Sequence, residues 1–250
     1  MNILDGRRLV DIHTHVLPRV DDGAKDEQAA LEMLRVAVAD GIGTVVATPH
    51  AHHARPERIG DEAARLTALA RSEGIDICVL PGSEVRIAAD LVEKFKAGKL
   101  VTLNGTRHML LELSLAHEWR IDVVEKVILK LQEAGLRPIL AHPERYPFVI
   151  IEPKLAATFV ALDVPLQLNA LSLSGYHSQA AQRTAYTLLD AGHVHIVASD
   201  AHSARWRPPQ LRTALAEIAE RRGARYVEGL LANADAVIAG EPVRLVLGSA

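Results

Sequence analysis

Cysteine is nearly absent from this chain of 250 residues, in which Cys78 is the only one. A single thiol excludes an internal disulfide framework, the usual stabilising device of small secreted proteins. It is typical of a reducing compartment, so the sequence predicts a cytoplasmic location. Cys78 lies inside the apolar run ICVLPG, and the residue six positions further on is Glu84 rather than an arginine. We therefore expect Cys78 to be a small buried side chain and not a nucleophile.

Aromatic residues are also scarce, at 4%, and basic residues are not in excess. Lys plus Arg number 28 and Asp plus Glu number 31, which gives a formal net charge of -3. Nucleic-acid-binding proteins usually present a basic surface or aromatic stacking platforms, so nucleic acid is not an expected partner. No apolar stretch is long enough to span a bilayer, and the N-terminal MNILDGRRLVDIH lacks the apolar core of a signal peptide.

What the chain does contain is a regular alternation of apolar runs and amphipathic segments. Runs such as TVVAT and PILAH are continuously apolar, which is typical of parallel strands with both faces covered. The segment Asp26 to Asp40 is predicted to be a helix, with Asp26 as its N-cap and Gly41 just beyond its end. Further helices are predicted at residues 57–73, 90–96, 121–134, 153–162, 179–189, 209–222 and 226–232. Because no linker interrupts this alternation, we predict one α/β domain over residues 1–250.

Nearly every predicted strand ends in a residue that can bind a metal ion or an anion. The strongest candidates for metal ligands are His13, His15, Asp22, His50, Glu84, Glu112, His142, Asp200 and His202, and the strand LQLNA ends in Asn169. In a barrel the carboxyl ends of all strands meet at one rim, whereas an open sheet collects ligands at one or two switch points. The pattern therefore favours a distorted seven-stranded (β/α) barrel, similar to a TIM barrel, with a polynuclear metal site.

The spacing of two pairs supports a metal site. His13 and His15 are two positions apart at a strand end, so both side chains lie on the same side. Asp200 and His202 repeat that spacing, and imidazole with carboxylate is a typical ligand set for Mn, Fe or Zn. Taken alone, the first pair is equally consistent with two hydrogen-bonded loop histidines.

Other candidates also have simpler interpretations. In VDDGAK, turn chemistry is the better explanation of Asp21 and Asp22 taken alone. Glu112 interrupts the apolar run MLLELS, where a carboxylate is costly unless it is paired or metal-bound, and a buried salt bridge is the alternative. For His52 and for His53 the simpler interpretation is a histidine in a solvated loop. Five histidines at element beginnings or in loops are given no role: His108, His117, His177, His193 and His195.

Arg145 and Arg207 are the candidates for anion binding, and Arg86 is a weaker third. Each of the first two follows a proposed ligand within five residues. A guanidinium group matches the geometry of phosphate. The alternative for each arginine is a surface salt bridge.

With these residues assembled, the chain resembles the PHP (polymerase and histidinol phosphatase) superfamily. The motifs DIHTHVLPRVDDGAKD, ATPH, GSEVR, LLELS, AHPERY, LQLNALSLSG and ASDAHSARWRPP are most similar to the bacterial manganese-dependent protein-tyrosine phosphatases of capsule and exopolysaccharide gene clusters. The resemblance continues to the closing AGEPV and so covers nearly the whole chain. The loop in ATPHAHHARPERI departs from the family's pattern, which leaves its substrate contacts open.

The resemblance implies three metal ions, Mn²⁺ with Fe or Zn as substitutes, at the rim of a distorted seven-stranded barrel. One implied ligand set is His13, His15, Glu84 and Asp200; a second is Glu84, Glu112 and His142; the third is Asp22, His50 and His202. Glu84 would bridge the first two sets. The carboxylates Asp22 and Glu112 replace histidines of many other superfamily members and favour the tyrosine-phosphatase subgroup. Arg145 and Arg207 match its phosphate-binding arginines.

The resulting hypothesis is a phosphomonoester hydrolase that uses a metal-activated hydroxide. The implied substrate is a phosphotyrosine protein, namely the tail of a bacterial tyrosine kinase in capsule or exopolysaccharide biosynthesis. No general acid is assigned. The alternative on the same barrel is a small-molecule phosphatase, such as a histidinol-phosphate phosphatase. A catalytically silent regulatory subunit would be expected to lack ligands, and an amidohydrolase would require a different ligand order.

Overall fold

The computed structural model describes residues 4–115 and 119–245, which contain eight strands. The strands are β1 (Leu9–Thr14), β2 (Ile42–Ala47), β3 (Cys78–Pro81), β4 (Glu84–Arg86), β5 (His108–Glu112), β6 (Arg137–Ala141), β7 (Leu166–Asn169) and β8 (Ile196–Ala198). All the strand pairs in these ranges are parallel. The α/β fold with parallel sheets predicted from the alternation is therefore confirmed.

Ten α-helices occur in the same ranges. They are α1 (Glu27–Ala39), α2 (Pro56–Ser72), α3 (Leu91–Lys96), α4 (Ile121–Glu133), α5 (Pro147–Ile151), α6 (Ala156–Ala161), α7 (Ala170–Leu173), α8 (Gln179–Asp190), α9 (Arg212–Arg222) and α10 (Ala224–Ala239). Short 3₁₀ turns cover Leu103–Gly105, Pro143–Arg145 and Pro153–Leu155. Within the described parts of the chain, no helix combines the length and the apolar character that crossing a membrane requires.

The strands pair into two sheets rather than into the predicted ring of seven. One sheet has the order β1-β2-β3 and the other β4-β5-β6-β7-β8. Pairing keeps one register between β2 and β3 and within the second sheet, as in Val45 opposite Val79 and Leu110 opposite Ile139, whereas the register between β1 and β2 shifts twice. The strand predicted over ICVLPG, with Glu84 after a Pro-Gly turn, is β3; a separate short strand, β4, begins at Glu84 after Gly82 and Ser83.

Within residues 4–115 and 119–245 the two sheets are linked by isolated bridges, which lie at the strand ends or just beyond them. Thr14 pairs with Ala201, and His50 pairs with Glu84. The His15 amide donates to the carbonyl of Ala201 at 2.8 Å, and the Asp200 amide donates to the carbonyl of His13 at 2.9 Å. The junctions between the sheets are therefore made by the residues that carry the candidate ligands.

Alternate residues of the same strands enter two separate apolar clusters. In β5, Met109 and Leu111 belong to the larger cluster, which also contains the apolar faces of the surrounding helices, and Leu110 belongs to the smaller one. The smaller cluster combines strand residues such as Ile12 and Ile139 with residues of α10. Both faces of the strands are thus covered, which explains why their sequences are continuously apolar.

Helix α1 begins and ends as predicted. The Asp26 carboxylate accepts a hydrogen bond from the Ala29 amide at 2.8 Å, so it satisfies one of the free N–H groups of the first turn. Gly41 follows the C-cap with a φ of 86°, a conformation that glycine adopts without steric cost. Between these ends, Leu31, Leu34 and Ala37 are buried on one face.

Helices at the end of the chain are less well predicted. Helix α10 extends over Ala224–Ala239 rather than ending at Ala232. Asn233, a weak helix former, is buried there and its amide donates to the carbonyls of His195 and Arg244. These tertiary contacts compensate for its low helix propensity. Helices α5 and α7 were not predicted.

Candidate metal centre

Strand ends deliver the nine predicted ligands to one region. His13 lies in β1 and Glu112 ends β5, while Glu84 begins β4 directly after the interruption that follows β3. The remaining ligands lie in the segments that follow β1, β2, β6 and β8: His15, Asp22, His50, His142, Asp200 and His202. Because the strands are parallel, these positions share the carboxyl-terminal side of the sheets.

His13 and His15 are fully buried among carboxylates rather than exposed in a loop. The Nε2 atom of His13 lies 3.2 Å from Oδ1 of Asp200 and 3.5 Å from Oε1 of Glu84. The Nε2 atoms of the two histidines are 3.3 Å apart. Both rings therefore turn a nitrogen toward the same small space.

Glu84 lies at the centre of the cluster and is only 1% exposed. Its Oε1 atom is 3.0 Å from Nε2 of His142, and its Oε2 atom is 3.0 Å from Nδ1 of His50 and 3.5 Å from Nε2 of His15. The two oxygens thus face different histidines, an arrangement suited to a carboxylate that bridges two cations.

Glu112 and Asp22 lie at opposite margins of the cluster. The Oε2 atom of Glu112 is 3.8 Å from Nδ1 of His50 and 3.7 Å from Nε of Arg86. The same oxygen is therefore placed both to pair with Arg86 and to bind a metal ion. Asp22 is more exposed, with Oδ1 3.4 Å from Nε2 of His202 and 3.7 Å from Nε2 of His50. Asp22 therefore joins the histidines even though it lies in a turn.

Four groups of side chains place possible ligand atoms within 4.8 Å of one another in the described ranges. They are His15, Asp22, His50 and His202; His13, His15 and Asp200; His13, Glu84 and His142; and His50, Glu84 and Glu112. The set Asp22, His50 and His202 occurs as expected, with His15 added. Glu112 and His142, expected in one set, fall into different groups that share Glu84.

Backbone strain accompanies two of these residues. His142 has a φ of 35° and Asp200 a φ of 53°, both in the left-handed region that residues other than glycine rarely occupy. Such strain is concentrated at functional sites, where surrounding contacts hold it in place. Here it turns both side chains toward Glu84 and His13.

The electrostatics of the cluster are strongly perturbed. Burial alone would lower the pKa of His15, but hydrogen bonds to Asp21 and Glu84 and their charges outweigh it and raise the pKa to about 9. Burial and the nearby Arg145 lower the pKa of His142 to about 3. Burial and the charge of Glu84 raise the pKa of Glu112. Closely placed carboxylates of this kind are stabilised by cations.

The donor atoms fit a divalent metal. Imidazole nitrogens and carboxylate oxygens are ligands of Mn, Fe and Zn, and no cysteine is among them. Three buried atoms in the cluster form no hydrogen bond within the described part of the chain: Nδ1 of His50, which lies 3.0 Å from Oε2 of Glu84 without hydrogen-bonding geometry, Oε2 of Glu112 and Nδ1 of His142. Unsatisfied buried polar atoms are rare unless something else completes them, and for the first two a metal ion between the groups would do so.

Both predicted anion-binding arginines reach the cluster through one carboxylate. Arg145 donates from Nη1 to Oδ2 of Asp200 at 3.0 Å, and Arg207 forms an ion pair with the same oxygen. Their side chains are 18% and 16% exposed, so neither pair is an ordinary surface salt bridge. Arg86 lies at the margin beside Glu112.

Asp21 and Gln167 near the cluster were not predicted to have a role, and Asn169 was predicted only as the polar end of its strand. The Asp21 carboxylate lies 2.6 Å from Nδ1 of His15, Gln167 lies 2.9 Å from Nδ1 of His13, and Asn169 donates to Asp200 at 2.7 Å. Such partners fix the orientation of ligating side chains. The available signals were the polar residues of the apolar strand LQLN and the first aspartate of VDDG.

The remaining histidines differ in how near they lie to the cluster. His195 accepts from the Leu166 amide at 3.0 Å and is structural, whereas His177 lies 3.4 Å from the Asn169 amide group, closer to the cluster than expected. His52 and His53 are exposed, with ring centroids 5.4 and 6.3 Å from that of His50. His117 lies outside the described residues.

Cys78 is the first residue of β3 and is half-buried rather than buried.

A parallel α/β fold with imidazoles and carboxylates gathered beyond its strand ends is the architecture of a metal-dependent hydrolase. The sequence profile of the family described as capsular polysaccharide synthesis, CpsB/CapC, matches residues 9–239. The chain therefore belongs to the CpsB/CapC family.

Individual relatives agree with this assignment. The chain is 32% identical over 239 residues to the tyrosine-protein phosphatase YwqE of Bacillus subtilis (strain 168), covering 94% of this chain and 93% of that protein. It is 26% identical over 234 residues to the tyrosine-protein phosphatase CpsB of Streptococcus pneumoniae, covering 90% and 96%. Among crystal structures of YwqE and CpsB described as metal-dependent tyrosine phosphatases, one superimposes with a TM-score of 0.90 at 32% identity, covering 94% of this chain and 96% of that one.

Proposed function

We propose that this chain is a metal-dependent phosphomonoesterase that hydrolyses phosphotyrosine in proteins and acts in capsular polysaccharide synthesis. The observation that carries the proposal is a cluster of five histidines and four acidic residues, which two arginines contact, at the strand ends and just beyond them. Membership of the CpsB/CapC family and the names of the relatives support the choice of substrate.

The nine residues are proposed to hold three Mn²⁺ ions, with Fe or Zn as substitutes. The proposed ligands are His13, His15, Asp22, His50, Glu84, Glu112, His142, Asp200 and His202. Glu84 is the proposed bridge, since its two oxygens face different histidines at 3.0 Å. The positions of Asp21, Gln167 and Asn169 suit them to orient three of these ligands.

When bound, divalent cations would lower the pKa of a coordinated water and neutralise phosphate oxygens. Arg145 and Arg207 are proposed to bind and orient the phosphate through their guanidinium groups, which present paired donors of matching geometry. Asp200 holds both groups toward the cluster. Burial and the neighbouring Arg145 lower the pKa of Arg207 to about 10, which still leaves it charged at neutral pH.

Phosphotyrosine suits such a site because the phenolate leaving group has a conjugate-acid pKa of about 10, far below that of an alkoxide. A strong general acid is then less necessary, and none is assigned. The tail of a bacterial tyrosine kinase is the proposed protein substrate. The chain is further proposed to act in the cytoplasm.

The two sheets are proposed to form one distorted barrel within a single domain over residues 1–250. Bridges at Thr14–Ala201 and His50–Glu84 support this closure. Only Gly82 and Ser83 separate β3 from β4, so counting them as one interrupted strand would restore the number seven.

Metal removal tests the proposed function directly. Treatment with EDTA should abolish phosphate release from a phosphotyrosine peptide, and added Mn²⁺ should restore it, because the cations activate the nucleophile. Histidinol phosphate assayed in parallel tests the small-molecule alternative and should be hydrolysed far more slowly. The matched control is Cys78→Ser, which should retain full activity. Undiminished activity in EDTA, or a preference for histidinol phosphate, would refute the proposal.

A further inference from the structure

Two aromatic side chains are exposed among the described residues, and one of them adjoins the metal centre. Trp206 is 77% exposed and Tyr176 is 49% exposed. Tryptophan is on average highly buried, so an indole left in solvent calls for an explanation. Trp206 directly precedes Arg207, whose guanidinium group pairs with Asp200.

The loop that carries Trp206 is held firmly. Ser203 accepts hydrogen bonds through Oγ from the Trp206 amide at 2.9 Å and the Arg207 amide at 3.1 Å. The His202 amide donates to the carbonyl of Arg207 at 3.0 Å, which closes the loop on itself. The indole is therefore presented from a fixed backbone, beside a side chain that points into the centre.

A cavity of about 440 Å³ is lined both by the indole and by one proposed metal ligand, His202. Trp206 and His202 line it from one loop, and the segment before and within α1 lines it with the small residues Gly23, Ala24 and Ala29. His202 also belongs to the group of ligand atoms that contains Asp22. The cavity therefore borders the metal centre at His202.

The charges around this cavity favour the approach of an anionic substrate such as a phosphorylated peptide. Lys25 and Arg205 line it and are both exposed. Neither forms an ion pair within the described ranges. One carboxylate, that of Glu32, also lines the cavity.

We infer that this cavity is an aromatic subsite in which the phenyl ring of phosphotyrosine packs against Trp206 while its phosphate lies at the metal centre. This inference rests on the proposed function. Aromatic rings in offset or edge-to-face contact gain stability beyond the area they bury. Phosphoserine has no ring to place there, so Trp206 would contribute to the selection of tyrosine.

Binding of two phosphonates that differ in the ring tests the subsite without requiring turnover. Isothermal titration of Mn²⁺-loaded protein would compare phenylphosphonate with methylphosphonate. Trp206→Ala should weaken phenylphosphonate about five- to tenfold and leave methylphosphonate within about twofold. Trp206→Phe should retain most of the affinity because a ring remains. Leu129→Ala, an exposed apolar residue of α4, is the control and should change neither.

Each outcome bears on the inference. Equal weakening of both phosphonates by Trp206→Ala, an unchanged affinity for phenylphosphonate, or no binding of either phosphonate to the unaltered protein would overturn it. Ring-dependent binding in a protein that does not hydrolyse phosphotyrosine would refute the proposed function and leave the aromatic subsite standing.

Discussion

The side chain of Asp200 connects the proposed metal ligands with the arginines proposed to bind phosphate. Its Oδ1 atom faces His13 at 3.2 Å and His15 at 3.5 Å. Its Oδ2 atom accepts hydrogen bonds from Arg145 and Asn169, and Arg207 pairs with it as well. One oxygen therefore serves the proposed cations and the other positions the groups that would hold phosphate.

Because the two oxygens of Asp200 have different partners, we predict that an arginine can be removed without loss of metal. Arg145→Ala should lower kcat/KM on a phosphotyrosine peptide by about 10²- to 10³-fold, the usual effect of deleting one preorganised donor to a reacting anion. Bound manganese should be unchanged, since Asn169 and Arg207 still hold Asp200. Steady-state kinetics and elemental analysis of the same sample would measure both quantities.

Arg120→Ala provides the control for this variant, because Arg120 is exposed and paired only with Asp122 among the described residues. It should leave both quantities unchanged. Full activity of Arg145→Ala would show that the arginine has no role in binding the anion.

At the scale of elements, the loop between β1 and α1 matters more than its length suggests. The Ala24 amide donates to the carbonyl of His15 at 3.0 Å, and Asp21 bonds both His15 and the His50 amide. Gly23 permits this close packing: a Cβ atom added there would lie 1.9 Å from the carbonyl oxygen of His15. The loop thus positions Asp21 and Asp22 only while residue 23 is a glycine.

Gly23→Ala should therefore displace the loop. We expect a loss of about 1–3 kcal/mol in the free energy of unfolding, the usual cost of overpacking a close contact. Manganese should also bind more weakly, because Asp22 moves away from His50 and His202. Urea denaturation and metal titration would measure the two effects.

Gly60→Ala is the matched control, since nothing lies within 4 Å of a Cβ atom at this position of α2. It should raise the free energy of unfolding by about 0.5–1 kcal/mol, because alanine is the better helix former. A Gly23→Ala variant with unchanged stability and metal affinity would contradict the importance of this loop.

At the scale of the whole molecule, the cluster links metal binding to folding. Its ligands come from segments between His13 and His202 and connect the two sheets. Carboxylates buried together destabilise the folded chain unless cations or protons compensate their charge. Cations that bind only the folded state would therefore stabilise the entire structure.

Thermal unfolding should reveal this stabilisation. At about 100 times the dissociation constant, each bound Mn²⁺ should add about 2.7 kcal/mol. For a chain of this size the melting temperature should rise by roughly 5–10 °C per bound ion relative to EDTA. Glu84→Gln should lose most of the shift, since Glu84 lies at the centre of the cluster. Identical melting curves with Mn²⁺ and with EDTA would argue against a metal site in the native protein.

Much of this architecture could be predicted from the sequence because its causes are local. Continuous apolar runs gave the strands, and Asp26 and Gly41 marked the limits of α1. Most of the candidate ligands were recognisable because they end, follow or interrupt an apolar run, where a polar side chain is conspicuous, whereas Asp22 lies in a turn and was assigned through the family resemblance.

Several features could not be predicted because they depend on contacts between distant segments. Asp21 orients His15 whereas Asp22 reaches His202, although turn chemistry treats the two aspartates alike. Likewise Gln167 and Asn169 acquire their partners only when β7 lies beside the cluster. The interruption between β3 and β4 and the length of α10 also depend on tertiary packing.

The sequence by itself determined the alternation of parallel strands and helices, since periodicity is a local property. It also determined which side chains are present at the strand ends, since residue type is local as well. Only the tertiary structure decided which oxygen of Asp200 faces histidine and which faces arginine, how the ligands divide into groups, and that Trp206 stands exposed beside them. These are distances between residues far apart in the chain, and packing of the folded molecule alone sets them.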